Sequence, residues 1–272
     1  MNKYLVFTDL DGTLLNHNDY SFDDAKEAIE YLKENKVPLI IVTSKTFSEV
    51  RELQEELGIK CPFIVENGAG IYIPPDAVLT KGVMPYQNRH IQISYAQSYL
   101  EVRLFFKALQ KQYNIRGFGD MSKDEVKTLT GLDGDKVINS MRRDFTEPFI
   151  AYDDVDMQKI KDKANEAGLD IVKGGRFYHL ISKDQDKAKA MKYLTHLYSQ
   201  RLGKEFKMIA LGDSANDFTM LSAADIGVLI QLHNGEYADI ECTGVECRNI
   251  QKSSFPGPKG WNKAILEIFD VN

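Results

Sequence analysis

Two short acidic clusters carry the residue types of a cation-assisted site. Asp9-Leu10-Asp11-Gly12-Thr13 follows the apolar run YLVFT at 4–8, and Gly212-Asp213-Ser214-Ala215-Asn216-Asp217 follows a second apolar run, FKMIAL. Alternation along the first run turns Asp9 and Asp11 the same way. Carboxylates held that close repel each other unless a cation or a shared proton offsets them. A hard divalent cation such as Mg2+ suits an all-oxygen set of ligands. Each cluster alone has a plainer reading, a surface turn for the first and a helix cap for the second. Together, two strand ends bearing acids can supply both sides of one metal site.

The elements that must hold these clusters read as an alternation of strands and helices. YLVFT is a buried strand, VPLIIVT (37–43) is another, and a helix over 23–35 separates them with Ala25, Ala28, Ile29 and Leu32 at helical spacing. A second helix carries Val50, Leu53 and Leu57 on one face and stops at Gly58. FIVENGAGIYI (63–73) reads as strand, turn, strand. This order is that of a parallel α/β sheet, in which ligands bind beyond the C-terminal ends of the strands. From about 82 the pattern changes. An amphipathic helix is expected from Tyr95 to Tyr113, a capping box from Ser122 to Glu125, a strand at 148–152, a helix ending at Gly168, and a hairpin about Gly174-Gly175. Alternation returns from 185 with a helix to about 199, the strand at 206–214, a helix opening at Asn216, the strand DIGVLI and a last helix from Trp261 to Phe269. The expected division is therefore a core of 1–81 plus 183–272, interrupted by an inserted block at 82–182.

Composition narrows the function classes. With 34 basic and 40 acidic residues the formal net charge is −6, the wrong sign for a broad nucleic-acid surface. A local basic pocket for a small anion remains open. The odd set Cys61, Cys242 and Cys247 contains no CxxC pair, so it suggests neither a zinc site nor a disulfide framework. No run approaches the ~18 apolar residues of a membrane span, and the N-terminus does not read as a signal peptide. A cytoplasmic protein is expected, with no nucleic-acid or membrane partner, as a monomer or weak homodimer.

The chain resembles the haloacid dehalogenase (HAD) superfamily of phosphatases. DLDGT (9–13), Thr43 at the end of VPLIIVT, Lys187 in DKAKAMKYL and GDSANDFTML (212–221) are similar to its four motifs, in order. The turn Glu66-Asn67-Gly68 is similar to that of the Cof-like branch. Ala188 and Thr219 depart from residues common in the family, at helix starts rather than at reacting groups. The resemblance implies a Rossmann-like parallel-sheet core with an inserted α/β cap. It implies that Asp9 is the nucleophile on a phosphomonoester, forming an aspartyl phosphate, and that Asp11 is the general acid and base. Thr43 and Lys187 would hold the phosphoryl group. Mg2+ would be bound by Asp9, Asp11 and Asp213, with Asp217 supporting the set.

Further segments resemble the mannosyl-3-phosphoglycerate phosphatase family: Ser44-Lys45-Thr46, Arg142-Arg143 with Glu147-Pro148-Phe149, and Gly174 through Leu180. They imply a phosphorylated sugar-acid substrate, a mannosyl- or related glycosyl-3-phosphoglycerate, and a place in mannosylglycerate biosynthesis. Lys45, Asn67, Gly68, Arg142, Arg143, Glu147, Arg176, His179 and Asn216 are the candidate substrate contacts. Arginines would pair with the carboxylate, and Glu147 and His179 would meet sugar hydroxyls. A broad Cof-like sugar-phosphate phosphatase, a phosphomannomutase and a non-catalytic regulator are the competing readings.

Overall fold

The computed structural model describes residues 3–81, 89–152, 155–174, 176–239 and 247–271. The chain starts with β1 (Tyr4–Thr8), α1 (Lys26–Glu34), β2 (Leu39–Ile41) and α2 (Phe47–Leu57). The capping box of Thr46 and Glu49 starts α2, and Gly58 ends it in the left-handed region. The antiparallel strands β3 (Phe63–Val65), β4 (Gly70–Ile73) and β5 (Ile91–Ser94) follow. Thus 91–94, within the stretch that the sequence assigns to the inserted block, hydrogen-bonds to β4.

The middle of the chain forms α3 (Tyr99–Gln110), β6 (Ile115–Gly117), α4 (Lys123–Thr130), α5 (Asp135–Met141), β7 (Glu147–Ala151), α6 (Met157–Glu166), β8 (Leu169–Gly174) and β9 (Phe177–Ser182). Its strands make an antiparallel sheet in the order β6-β7-β9-β8. α3 is shorter than the periodicity predicts. Ser98 and Glu101 close a capping box that fixes its start, so Tyr95 lies outside the helix and is 84% exposed. β8 and β9 form the expected hairpin. Gly174 pairs with Phe177, which puts Arg176 in the turn itself; Gly175 is outside the described residues.

The last part contains α7 (Lys187–Leu202), β10 (Lys207–Gly212), α8 (Phe218–Ala223), β11 (Ile226–Gln231), β12 (Ile250–Pro256) and α9 (Gly257–Ile268). β10 returns beside β1, completing a parallel sheet in the order β12-β11-β10-β1-β2. Strand alternation sends Val6 to one face, against α1, α2 and α9, and Leu5 and Phe7 to the other, against α7 and α8. This is the α/β parallel-sheet core expected from the sequence. β1 and β10 are the neighbours at which the chain changes direction across the sheet, the place where such sheets open a crevice. Both acidic clusters lie there. Cys61 is a free thiol, whereas Cys247 is disulfide-bonded, although the cysteine spacing suggests no disulfide framework; Cys242 is outside the described residues. Among the described residues no helix is long and apolar enough to cross a membrane.

Candidate active site

Asp9 directly follows β1, and its amide is fixed by the Leu211 carbonyl of β10 at 2.9 Å. Asp213 directly follows β10. The two strand ends therefore bring Asp9, Asp213 and Asp217 together, with one carboxylate oxygen of each within 4.8 Å of the others. Gly12 makes this approach possible. It has φ +79°, and a β-carbon there would lie 2.4 Å from Asp213 Oδ2.

Lys187 opens α7 and is buried among these acids. Its Nζ donates to Asp9 Oδ1 at 2.7 Å and to Asp217 Oδ1 at 2.6 Å. The other oxygen of Asp217 accepts from the Asp213 and Ser214 amides and from the Ser214 hydroxyl. Asp217 thus fixes both the lysine and the loop carrying Asp213. Gly68 lets the β3–β4 turn approach the start of α7, since a β-carbon there would meet the Asp186 carbonyl at 2.4 Å.

The charges favour a divalent cation. With all three buried carboxylates ionised against one buried ammonium, three less one would leave two excess negative charges. Burial, reinforced by Asp217, raises Asp9 to about 7 although Lys187 pulls the other way. Burial, then Asp217 and Asp9, raise Asp213 to about 8. The donor set, all oxygen and doubly negative, fits a hard cation. A thermodynamic prediction follows from the signs. Both carboxyls have folded pKa values above their ordinary 3.8. The folded chain therefore holds more protons than the unfolded chain from about pH 4 to about pH 8, and the metal-free protein loses stability as pH rises through that window. A cation displaces those protons. Mg2+ should raise Tm more at about pH 8 than at about pH 6, measured by thermal melts with Mg2+ and with EDTA. Equal shifts at both pH values would contradict this ligand set.

Asp11 stands apart from the three-carboxylate cluster. Its Oδ2 is paired with Lys45 Nζ at 2.9 Å, and its Oδ1 is buried without a hydrogen-bond partner. That placement suits proton transfer better than a side-chain metal ligand. Burial opposes the charge on Lys45, but Asp11 and Glu49 outweigh it and raise its pKa. Thr43 is buried; its Oγ1 accepts from the Lys45 amide at 3.2 Å, which leaves its own proton to donate.

A cavity of about 270 Å³ opens over Asp9 and Asp11, walled by both the core and the middle block. Of the sequence-predicted residues, Asp9, Asp11, Thr43, Lys45, Asp213 and Asn216 line it from the core, and Arg143, Arg176 and His179 from the block. Arg143 Nη1 also donates to the Ser44 carbonyl at 2.7 Å, tying the block to the core. His179 is buried and its Nδ1 has no partner. Burial, then Arg143 and Lys187, push its pKa down to about 3, so it is neutral at pH 7. Asn67 sits behind this wall, accepting from Asn216 Nδ2 at 3.4 Å.

Besides Asn67, three candidate substrate contacts are not brought to the cavity. Arg142 is exposed, and among the described residues its side chain reaches only Asn139. Glu147 is fully buried inside the block, where its carboxylate accepts from Tyr99 Oη at 2.6 Å, Arg103 Nη1 at 3.0 Å and the Gly119 amide at 2.9 Å. Its lone pairs hold the block together and are not free for a sugar. Gly68 is likewise a packing residue rather than a cavity contact. Conversely, sequence reasoning missed His17 and His233, stacked at 4.3 Å between ring centroids and lining the cavity. It also missed Glu66. That buried carboxylate accepts from the amides of Asp144, Phe145 and Thr146 and from the Thr146 hydroxyl, clasping the block's entry into β7. A charged residue inside the apolar run FIVENGAGIYI was the available signal.

Comparison with known proteins agrees with this geometry. A family model described as haloacid dehalogenase-like hydrolase matches residues 6–237. A glucosyl-3-phosphoglycerate/mannosyl-3-phosphoglycerate phosphatase of Persephonella marina is 43% identical over 266 residues, covering 98% of this chain and 97% of that protein. One of the same name from Methanococcoides burtonii is 38% identical over 275 residues, covering 99% and 98%. A crystal structure from Thermoplasma acidophilum superposes over 100% of both chains with a TM-score of 0.71 at 18% identity, a likeness of fold alone. With two strand ends that gather buried carboxylates around a lysine, and a family model spanning most of its length, the chain belongs to the haloacid dehalogenase-like hydrolase family.

Proposed function

We propose that this protein is a Mg2+-dependent phosphatase that dephosphorylates mannosyl- and glucosyl-3-phosphoglycerate. The observation that carries the reading is the convergence of Lys45 from the core with Arg143 and Arg176 from the block over the Asp9–Asp11 pair. A glycosyl-3-phosphoglycerate bears two anionic groups, a phosphate and a carboxylate. The buried site beside Lys187 accounts for the first. The basic groups of the cavity account for the second, since arginine pairs with a carboxylate through parallel donors. The names of the full-length relatives support this substrate class.

In this reading Asp9 attacks phosphorus, the P–O bond to the glycerate breaks, and Asp11 delivers a proton to the departing oxygen. Asp11 then takes a proton from the water that cleaves the aspartyl phosphate, releasing inorganic phosphate and restoring Asp9. Thr43 donates to a phosphoryl oxygen, and Lys187 keeps Asp9 aligned and offsets charge. Asp9 and Asp213, with Asp217 behind them, would hold Mg2+, which when bound would supply charge neutralisation for the attack on phosphate. The part of the inserted block that walls the cavity acts as a cap that selects the leaving group, because the motif residues of the core address only the phosphoryl group. His179, neutral and unpartnered at Nδ1, would bond a hydroxyl of that leaving group.

The test is phosphate release from a panel containing mannosyl- and glucosyl-3-phosphoglycerate together with simple sugar phosphates. The glycosyl phosphoglycerates should exceed the simple sugar phosphates in kcat/KM by about 100-fold or more, because a site built for a carboxylate leaves its cations unpaired with neutral sugars. Excess EDTA should abolish turnover. Similar rates across the panel would instead favour the broad Cof-like reading, and undiminished turnover in EDTA would remove the metal.

A further inference from the structure

We infer that Tyr20 is a positioning residue whose hydroxyl holds Arg176 over the cavity, so that the anion-recognising wall is complete only when the inserted block is seated on the core loop 16–21. The inference rests on the proposed phosphatase reading and deepens it. It assigns specificity to a residue of the core, on a segment with none of the four motif residues.

Tyr20 adopts φ +59°, the left-handed region that a bulky side chain avoids at a cost of about 1 kcal/mol or more. The loop enforces it. The Tyr20 amide donates to the Asn16 carbonyl at 3.0 Å, and the Asn16 amide to the Ser21 carbonyl at 2.8 Å. The Asn18 and Ser21 amides are held by the side chains of Asn16 and Asp19. The strained backbone aims the ring out of the core. There it packs against the core cluster on one side and against the block's cluster of Phe118, Met121, Val126, Leu132 and Val137 on the other.

The hydroxyl joins two pieces of the block. It accepts from Arg176 Nη2 at 3.1 Å and donates to the Thr130 carbonyl at 3.3 Å. Arg176 Nη1 donates to the Leu129 carbonyl at 3.4 Å. Leu129 and Thr130 end α4, where carbonyls have no partner within the helix. Arg176 and Tyr20 therefore satisfy a helix C-terminus together, an end that also favours a cation. Among the described residues Arg176 makes no ion pair with a carboxylate. It is a cation at the cavity wall, held by neutral oxygens, with its charge left for a ligand. The same tyrosine ring lies 5.1 Å beneath Lys45 Nζ. One side chain thus touches both a core cation and a block cation of the cavity, at its face and at its hydroxyl.

The test is a double-mutant cycle on mannosyl-3-phosphoglycerate hydrolysis, with thermal melts confirming that each variant is folded. Tyr20→Phe keeps the ring and its packing and removes only the hydroxyl. Arg176→Ala alone should lower kcat/KM by roughly 10- to 100-fold, the range for a lost hydrogen bond to a charged group. Tyr20→Phe alone should cost roughly 3- to 10-fold, falling on KM rather than kcat, because the carboxylate is bound equally before and during the reaction. In the Arg176→Ala background, Tyr20→Phe should change kcat/KM by less than about twofold. Additive losses, a loss confined to kcat, or no loss from Tyr20→Phe would each overturn the inference while leaving the substrate reading intact. A wild-type protein that leaves glycosyl phosphoglycerates unhydrolysed would overturn both.

Discussion

Asp9→Asn is expected to lower turnover by on the order of 10⁴-fold or more while leaving the protein folded. The amide preserves shape and still accepts from Lys187, but it cannot form the acyl phosphate, and it removes one charged oxygen from the metal set. Removing a residue that forms the covalent intermediate typically costs a factor of this size. The fold should not suffer. Asp9 is one of three mutually repelling buried carboxylates, and burial already raises its pKa to about 7. In EDTA at about pH 8 the variant should melt no lower than wild type, because repulsion among the remaining acids is relieved. Its Tm gain from Mg2+ should shrink, because a ligand has gone. Turnover, Tm in EDTA and Tm in Mg2+ together separate chemistry from stability. Appreciable turnover in a folded Asp9→Asn protein would falsify the covalent route.

Lys187→Met should damage stability and catalysis at once. The methionine approximates the length of the lysine stem but leaves Asp9 and Asp217 without their shared ammonium, which lies within 2.7 Å of both. Breaking a buried ion pair from one side costs roughly 3–5 kcal/mol. Part of that cost is avoidable, because the orphaned carboxyls can take up protons. The loss should therefore be smaller at about pH 6 than at about pH 8, and Mg2+ should recover some of it. Turnover should fall by roughly 10²- to 10³-fold, as when one preorganised positive donor is removed from a charged transition state. Denaturant titrations at the two pH values, with and without Mg2+, read the stability part. A loss below about 1 kcal/mol, the size expected of a solvated surface pair, would mean that Lys187 does not hold these acids.

The carboxylates were the most legible part of the site. An apolar strand ending in acids is a local pattern, and β1 and β10 place both clusters at neighbouring sheet ends through pairing that a βαβ alternation already implies. Lys187 was legible only through the family resemblance, since Lys183, Lys189 and Lys192 surround it in sequence and nothing local marks the buried one. The inserted block was least legible. Glu147 looked free to bind a sugar because Tyr99 and Arg103, which claim its carboxylate, lie more than forty residues away in the chain. Arg142 and Arg143 were equivalent in sequence and separate only because, just past the end of α5, Arg143 turns to the Ser140 and Ser44 carbonyls while Arg142 stays exposed. β6, α5 and β12 went unread because their apolar positions are few, and their burial comes from partners distant in sequence. Tyr20 left no signal at all, as its role depends on a backbone angle that its residue type disfavours.

Trp261, on α9, is the only tryptophan in the chain and is fully buried. Its Nε1 donates to Thr8 Oγ1 at 3.0 Å, and that hydroxyl donates to the Asp9 carbonyl at 2.7 Å. The indole is therefore two hydrogen bonds from the backbone of Asp9, the proposed nucleophile. Indole emission responds to local polarity and to nearby charge, and excitation at the red edge avoids the 13 tyrosines. The protein thus contains a single indole fluorophore, hydrogen-bonded to the strand that leads into Asp9. Occupation of the carboxylate cluster and loss of the C-terminal helix become separately visible in one unlabelled sample, the first as a change in intensity with the band in place and the second as a shift to longer wavelength.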